Sequence, residues 1–513
     1  MSRKSVVHRA LDAIERLGDR LPDPVFIFAW IIAALVLASV VCAALGVSAV
    51  NPVDGEVLRA QSLIDPANIR TLLVEMPRTL TGFAPLGYVL LIMLGAGVAE
   101  RVGLLSAGIR VMMGASPRVL VTPMVILLGL LSNHAADSGF VILLPLAGAA
   151  FAAVGRHPIA GIAAAFAGVV GSFAGNPLPG QFDALILGLS EPAARLIDAH
   201  WTANLVGDWW FTAAGAAVFV PVAWWVTVNV VEPRLGPWEP PAGVTPHDTP
   251  LSPVERRGLG WAALTGLCVA GLWAALAFLP GAPLVDHAVE GPARWTPFFR
   301  SLVSGFFVLF LATGVVYGVI VGVIRSDRDI VRLASESMAA MAPYIVLAFA
   351  AAHFIAMFTW SNLGVIIAIH GADGLRASGL PIPVLLMAIV ILTAALDMLI
   401  GSASAKWAAL APVLVPMLML LGVSPEMTTA AYRMGDSSVN MASPLMPYFG
   451  LVLGFCQRWK PGFGVGGLIS AMLPYSIAMM TAGMLLTGVW AALELPTGPA
   501  APVHYSAPPA KAG

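Results

Sequence analysis

Four short polar runs interrupt otherwise apolar sequence, and they fall into two pairs, one in each half of the chain. The first pair is Leu131–Ser138 (LSNHAADS) and Gly175–Asp183 (GNPLPGQFD); the second is Gly401–Trp407 (GSASAKW) and Tyr432–Asn440 (YRMGDSSVN). Their surroundings give them meaning. Of the 513 residues, 58% are hydrophobic and 11% charged, with mean hydropathy +0.87. Soluble domains hold about 45–50% apolar and about 25% charged residues, so the solvent for most of this chain is a bilayer. A bilayer core offers the backbone no water, and irregular polar backbone persists there only when buried in protein or lining a cavity. Interruptions in corresponding positions of two halves mark the binding site of a carrier built from an inverted repeat.

Crossing a bilayer takes about 17–25 apolar residues. Val25–Leu45, Ala84–Ala99, Trp209–Val231, Gly260–Leu279, Leu302–Ile324, Met338–Met357, Val384–Ile400 and Gly467–Trp490 read as spans. Between them, Val119–Leu131, Gly139–Val154, Ile159–Ala174, Trp407–Gly422, Met427–Arg433 and Leu445–Phe455 are shorter or interrupted. Segments of about 10–14 residues suit re-entrant arms or half-helices. Helical hairpins are therefore expected around Ser132–Asp137 and Ser402–Lys406, with helix breaks near Gly175–Pro179 and Gly435–Ser438.

Basic residues set the orientation. Arg3, Lys4, Arg9, Arg16 and Arg20 precede the first span and place the N-terminus in the cytoplasm. That stretch lacks the small-residue cleavage site of a signal peptide and reads as mature sequence. Asn51–Leu80 mixes acids and arginines as an exported loop, whereas Arg101, Arg110, Arg118, Arg325, Arg328 and Arg332 mark cytoplasmic loops. The organisation expected is a cytoplasmic segment 1–24, a first membrane half 25–231, a Pro-rich cytoplasmic linker 232–257, a second membrane half 258–494 and a disordered Pro/Ala-rich tail 495–513. Each half carries a hairpin and a broken helix. A net charge of -1 leaves no basic field for nucleic acid. Cys42, Cys268 and Cys456 show no metal-binding or disulfide spacing and read as small buried hydrophobes. No cofactor is implied. Without a phosphate-binding Gly-x4-Gly-Lys-Ser/Thr loop or a sizeable soluble domain, ATP is not the driver.

The interruptions resemble the AbgT family, the p-aminobenzoyl-glutamate transporters of the ion-transporter superfamily. The resemblance covers nearly the whole chain and is sharpest in Gly401–Leu418 (GSASAKWAALAPVLVPML) and Tyr432–Phe449 (YRMGDSSVNMASPLMPYF). Leu131–Phe151 and Ala174–Ile186 add weaker support. It implies an all-α polytopic fold of nine membrane helices plus two re-entrant hairpins, in a bowl-shaped homodimer within a bacterial inner membrane. It also implies secondary transport of a small aromatic carboxylate or sulfonamide, coupled to H+ or Na+. Family members serve both folate-precursor uptake and antimetabolite export.

Individual residues carry the chemistry. Asp436 sits inside an interruption, where an ionisable group is functional by default; an i, i+3 pair with Arg433 would also account for it. Arg433 could grip a substrate carboxylate through its planar fork. Asp183 follows a Pro- and Gly-rich break that frees carbonyls for a cation, or it caps the next helix. Asn176 lies in that break and Asn440 closes the second-half run. Ser402 and Ser404 form a hairpin tip whose hydroxyls can bind ions or substrate. Trp407 is either a stacking platform for a substrate ring or an interfacial anchor. The resemblance marks Ser404, Trp407, Pro425, Arg433, Asp436 and Pro444 as transport positions. Asp397 stands where the family pattern has an amide: it either adds a proton or Na+ site beside Asp436 or pairs with Lys406. Asn133, His134, Asp137 and Ser138 form the first-half tip, with His134 either a core histidine or a proton relay. His353 reads as structural.

The mechanism expected is binding of a proton or cation near Asp436 and Asp183, which lowers the cost of burying them and favours closure around substrate. One alternative is a symporter of dicarboxylates or short-chain acids, for which Trp407 would be dispensable. A more distant one is a membrane-embedded enzyme using Ser404 or His134, although no nucleophile–base–orienter motif is present.

Overall fold

The computed structural model describes residues 24–50, 55–114, 120–132, 139–238, 251–288, 292–397, 402–443, 446 and 448–506. In the first half, α1 (Pro24–Ala44) leads into a hairpin of β1 (Ser48–Val50) and β2 (Val57–Arg59), whose antiparallel register pairs Ala49 with Leu58. Then come α2 (Pro66–Thr81), α3 (Ala84–Arg101), α4 (Leu104–Gly114), α5 (Val121–Leu131), α6 (Leu144–Ala153), α7 (Pro158–Gly171), α8 (Gln181–Ala194) and α9 (Trp209–Val226). A π-helical turn, Gly139–Leu143, precedes α6. The second half holds α10 (Pro253–Phe278), α11 (Thr296–Val321), α12 (Asp327–Ala340), α13 (Ala342–Trp360), α14 (Leu363–Ala377), α15 (Ile382–Asp397), α16 (Ala403–Met419), α17 (Pro425–Asn440), α18 (Phe449–Trp459) and α19 (Val465–Ala492).

Both halves repeat one order. Two helices lie on either side of residues 133–138 (α5 and α6) or 398–401 (α15 and α16), two helices separated by a short break follow (α7 and α8; α17 and α18), and a long helix closes the set (α9; α19). Residues 133–138 and 398–401, where hairpin tips were expected, lie outside the described residues. These elements share one core, filled by Phe151, Phe166, Phe211, Phe219, Trp407 and Tyr475 among others. A second layer is built by α3, α10 and α11 around Val98, Ala262 and Tyr317. There Gly314 lets α11 lie against α3, since a Cβ would meet the Ala99 backbone; small residues at helix crossings are the usual device of membrane packing. The outer face of α10 leaves Trp261, Leu264, Leu267 and Leu272 exposed, as lipid contact requires.

Among the described residues, six helical stretches are long and apolar enough to cross a membrane: Pro66–Arg101, Trp209–Leu235, Pro253–Phe278, Thr296–Val321, Ala342–Trp360 and Val465–Ala492. The pair Leu363–Ala377 and Ile382–Asp397, bent by 120°, makes a seventh if taken as one span. The chain is a multi-pass, mostly helical membrane protein.

Three local expectations are corrected. The stretch read as an exported loop, Asn51–Leu80, contains β2 and nearly all of α2, where Pro66 at the helix start and apolar Ile69, Leu72, Leu73 and Met76 at helical spacing sustain a helix. The break expected at Gly435–Ser438 falls later, after Asn440, because α17 runs unbroken through those residues. The tail is packed as far as residue 506: the Ser424 N–H donates to the Val503 carbonyl (2.8 Å), the Tyr505 N–H to Gly422 (2.9 Å) and the Phe211 N–H to Thr497 (3.0 Å). Pro and Ala give that segment no core of its own, but its backbone satisfies neighbouring helix starts.

Candidate functional site

The break between α7 and α8 turns a carboxylate inward. Pro177 and Pro179 cannot donate ladder hydrogen bonds, so the chain runs extended from Asn176 to Gly180 before α8 begins. In the first turn of α8, Asp183 accepts from the Gly180 N–H (2.6 Å) and from the Asn176 amide (3.3 Å). Its other oxygen takes a hydrogen bond from Arg433 Nη1 of α17 at 2.7 Å. Asp208, just before α9, lies 3.3 Å from the same nitrogen, and Arg433 Nε donates to the Phe173 carbonyl at 2.6 Å. Asp183, Asp208 and Arg433 are all buried.

One turn further along α17, a second cluster forms. The Lys406 ammonium of α16 stands between Asp397, the last residue of α15, and Asp436, which it meets at 2.7 Å. Tyr432 donates its hydroxyl to the Ala403 carbonyl (2.5 Å) and lies 3.2 Å from Asp436. Trp407 stacks on Tyr432 (centroids 4.4 Å apart) and donates Nε1 to the Ile186 carbonyl (3.1 Å) and the Ser190 hydroxyl (3.0 Å). Ser402 caps α16 through the Ala405 N–H, with Ser404 in the first turn beside it.

The polar run on α17 stays helical because most of its side chains meet partners on neighbouring helices or one turn back. Gly435 allows α15 to approach, since a Cβ would overlap the Thr393 hydroxyl and the Val390 carbonyl. Ser437 donates to Val170 of α7 (2.9 Å), and Ser438 to Met434 one turn back. Beside the first cluster lies a cavity of about 430 Å³ walled by Phe140, Phe173, Phe182, Tyr344 and Tyr448.

The sequence profile of the AbgT putative transporter family matches residues 9–505. The chain belongs to the AbgT family. It is 35% identical over 487 residues to the p-aminobenzoyl-glutamate transport protein of Escherichia coli (strain K12), covering 95% of each chain. Its structure is similar to that of the Alcanivorax borkumensis YdaH transporter, with TM-score 0.86, 41% identity and coverage of 93% of this chain and 100% of that one. It is also similar to Neisseria gonorrhoeae MtrF, described as illuminating a class of antimetabolite efflux pumps, with TM-score 0.88, 39% identity and coverage of 94% and 97%. The protein is thus a membrane transporter of the AbgT type and not an enzyme.

In this AbgT chain, Asp183, Asn176, Arg433, Asp436 and Asp397 belong to the two clusters; Trp407 abuts the second through Tyr432, and Ser402 and Ser404 sit at the start of the helix that carries Lys406. The Arg433–Asp436 pair offered as an alternative explanation of Asp436 does not form. Arg433 pairs instead with Asp183 and Asp208, and Asp436 with Lys406, because α17 is flanked by a charged helix on each side. Of the two readings of Asp397, the Lys406 pair is the one realised. The Lys406 ammonium lies between the two carboxylates, Asp397 and Asp436, near which a cation site was considered. Asp183 both caps α8 and grips Arg433. Pro425 opens α17 behind the Ser424 cap, and Asn440 ends it, buried. Pro444 and the tip residues Asn133, His134, Asp137 and Ser138 lie outside the described residues. His353 is buried on α13, its Nδ1 2.7 Å from the Phe349 carbonyl. Three buried acids escaped the sequence reading: Glu191, Asp208 and Glu426. The signal was there: Asp208 and Glu426 are lone acids at the start of an apolar or interrupted helix, and Glu191 is an acid inside an apolar one.

Proposed function

We propose that this AbgT protein is a secondary active transporter of p-aminobenzoyl-glutamate, p-aminobenzoate or related aromatic antimetabolites such as sulfonamides. It would work as a multi-pass homodimer in a bacterial inner membrane, with protons as the coupling ion. The observation that carries the coupling is charge arithmetic. Asp183 and Asp208 share one Arg433; Asp397 and Asp436 share one Lys406. An uncompensated charge deep in protein is costly, on the order of several kcal/mol after relaxation. Each cluster therefore reaches neutrality by holding one proton. Asp208 Oδ1, Asp397 Oδ2 and Asp436 Oδ2 are buried without a hydrogen-bond partner among the described residues, leaving oxygens free to carry it.

Protonation and release would change the attraction across the two halves. With both acids of a cluster ionised, Arg433 holds α17 to α8 and Lys406 holds α16 to α17; neutralising one acid loosens that grip. A ligand or proton moves such an equilibrium only by its differential affinity for the two states. Asp183, Asp208 and Arg433, with Asp397, Lys406 and Asp436, thus form the coupling centre, and Asn176, Asn440, Ser402, Ser404, Trp407 and Pro425 belong to the helix starts and ends that frame it. Sodium in the second cluster would have to displace Lys406, which favours the proton.

The test is uptake of labelled p-aminobenzoyl-glutamate and p-aminobenzoate into proteoliposomes under separately imposed proton and sodium gradients. Proton-driven uptake that is lost in Asp436→Ala is expected. Sodium-driven uptake would overturn the coupling assignment, and transport of neither compound would overturn the substrate class.

A further inference from the structure

The aromatic cavity beside Arg433 has a composition that the two charged clusters do not explain. It lies between α3 and the start of α13 on one side and the π-helical turn before α6, the end of α7 and the start of α8 on the other. Its walls are two stacked ring pairs: Phe140 on Tyr448 (centroids 4.1 Å apart, planes 8° apart) and Phe173 on Phe182 (4.7 Å, 28°). The volume, about 430 Å³, falls within the range of about 300–1,000 Å³ that holds small ligands. Two polar atoms on its lining are buried without a hydrogen-bond partner among the described residues, Gln181 Oε1 and Tyr344 Oη. A buried polar atom left unmatched costs about 1–3 kcal/mol, and orphans of this kind on the wall of a cavity mark where a ligand's polar groups belong.

We propose that this cavity, and not the indole of Trp407, is the subsite for the substrate's aromatic ring, with Gln181 and Tyr344 as its specificity-determining residues. The inference rests on the aromatic-substrate reading above. Trp407 is fully buried and its ring already stacks on Tyr432. The cavity, by contrast, offers open space of about 430 Å³ bordered by aromatic rings. Its polar demands are complementary to one ligand class: a single ring with an N–H donor for Gln181 Oε1 and an oxygen acceptor for the Tyr344 hydroxyl, as in an amino-substituted aryl acid or amide. The position also suits coupling. The Phe173 carbonyl accepts from Arg433 Nε, and the guanidinium carbon lies 5.5 Å from the Phe182 ring centroid. A ring pressed against Phe173 and Phe182 therefore bears on the same backbone and side chain that hold the first charged cluster.

The experiment is equilibrium binding of p-aminobenzoate and of benzoate to the purified full chain by titration calorimetry. Wild type is compared with Tyr344→Phe and Gln181→Leu, with proton-driven transport measured in parallel. Loss of one hydrogen bond to a desolvated partner predicts roughly tenfold weaker p-aminobenzoate binding in each variant. Benzoate, which lacks the amine, should lose affinity in Tyr344→Phe and not in Gln181→Leu. Because Gln181 opens the helix that carries Asp183, the conservative Tyr344→Phe keeps the test decisive if Gln181→Leu unfolds. Wild-type affinity and transport in Tyr344→Phe would overturn the subsite while leaving the transporter reading intact. A wild-type protein that neither binds nor moves the aromatic acids would overturn both.

Discussion

Lys406 must neutralise two carboxylates with one charge, and that asymmetry makes the cluster's members unequal. Removing the cation leaves two buried acids facing each other; removing Asp397 leaves a matched Lys406–Asp436 pair. Breaking a buried pair by deleting one partner costs about 3–5 kcal/mol. Lys406→Met should therefore fall sharply in melting temperature in detergent and lose transport. Asp397→Asn should melt near wild type, and an equal loss in both would contradict the arrangement. Trp407 gives a second residue-scale outcome. Its buried ring fills space against Tyr432 and bonds Ser190 and Ile186, so Trp407→Ala should cost about 3–5 kcal/mol in stability along with transport. A platform that only binds substrate would lose transport with the melting temperature intact. Asp183, Arg433 and Asp436 stood out in the sequence because charge at membrane depth is rare. Their pairing did not, because Asp183 and Arg433 lie 250 positions apart and local spacing favoured Arg433–Asp436.

At the scale of elements, α17 shows why a polar run and a broken helix look alike in sequence. Gly435, Asp436, Ser437 and Ser438 would all weaken an isolated helix, yet each meets a partner on α7, α15, α16 or its own preceding turn. The first-half break was legible because two prolines within Gly175–Gly180 forbid a helix whatever the packing. Gly435→Ala tests the packing explanation. Alanine favours helix intrinsically, so a helix-breaking role would make the substitution stabilising or neutral. Overlap with Thr393 and Val390 should instead cost about 1–3 kcal/mol, the usual penalty of overpacking, read as a lower melting temperature. The terminal segment yields a parallel outcome. Its carbonyls at Thr497 and Val503 satisfy the N–H groups of Phe211 and Ser424, at the starts of α9 and α17. A chain ending at Glu494 should lose about 1 kcal/mol for each of those bonds, with transport declining as the starts of the helices near Asp208 and Arg433 fray. A truncated chain with wild-type melting and transport would return that segment to the role of a passive tail.

On the scale of the whole molecule, the two halves contribute unequally to the two clusters. The first joins two first-half acids to a second-half arginine; the second lies wholly within the second half. The recurring order of helices in the two halves was foreshadowed by the paired polar runs. The cross-assignment of charges needed three dimensions. It has a measurable consequence for energetics. On the proposed charge arithmetic, with one excess carboxylate around Arg433 and one around Lys406, two protons would be available per cycle, one in each cluster. Neutralising the spare acid of a cluster by Asp208→Asn or Asp397→Asn removes one titrating group while leaving Arg433 or Lys406 a single partner. The proton-to-substrate ratio, measured from the membrane potential that just balances a fixed substrate gradient, should fall by one in either variant. The two variants combined should leave transport that follows the substrate gradient alone. Replacing sodium by choline should change none of these values. A ratio unchanged by Asp397→Asn but lowered by Asp208→Asn would assign coupling to the first cluster alone and leave the second as a fixed brace between α15, α16 and α17.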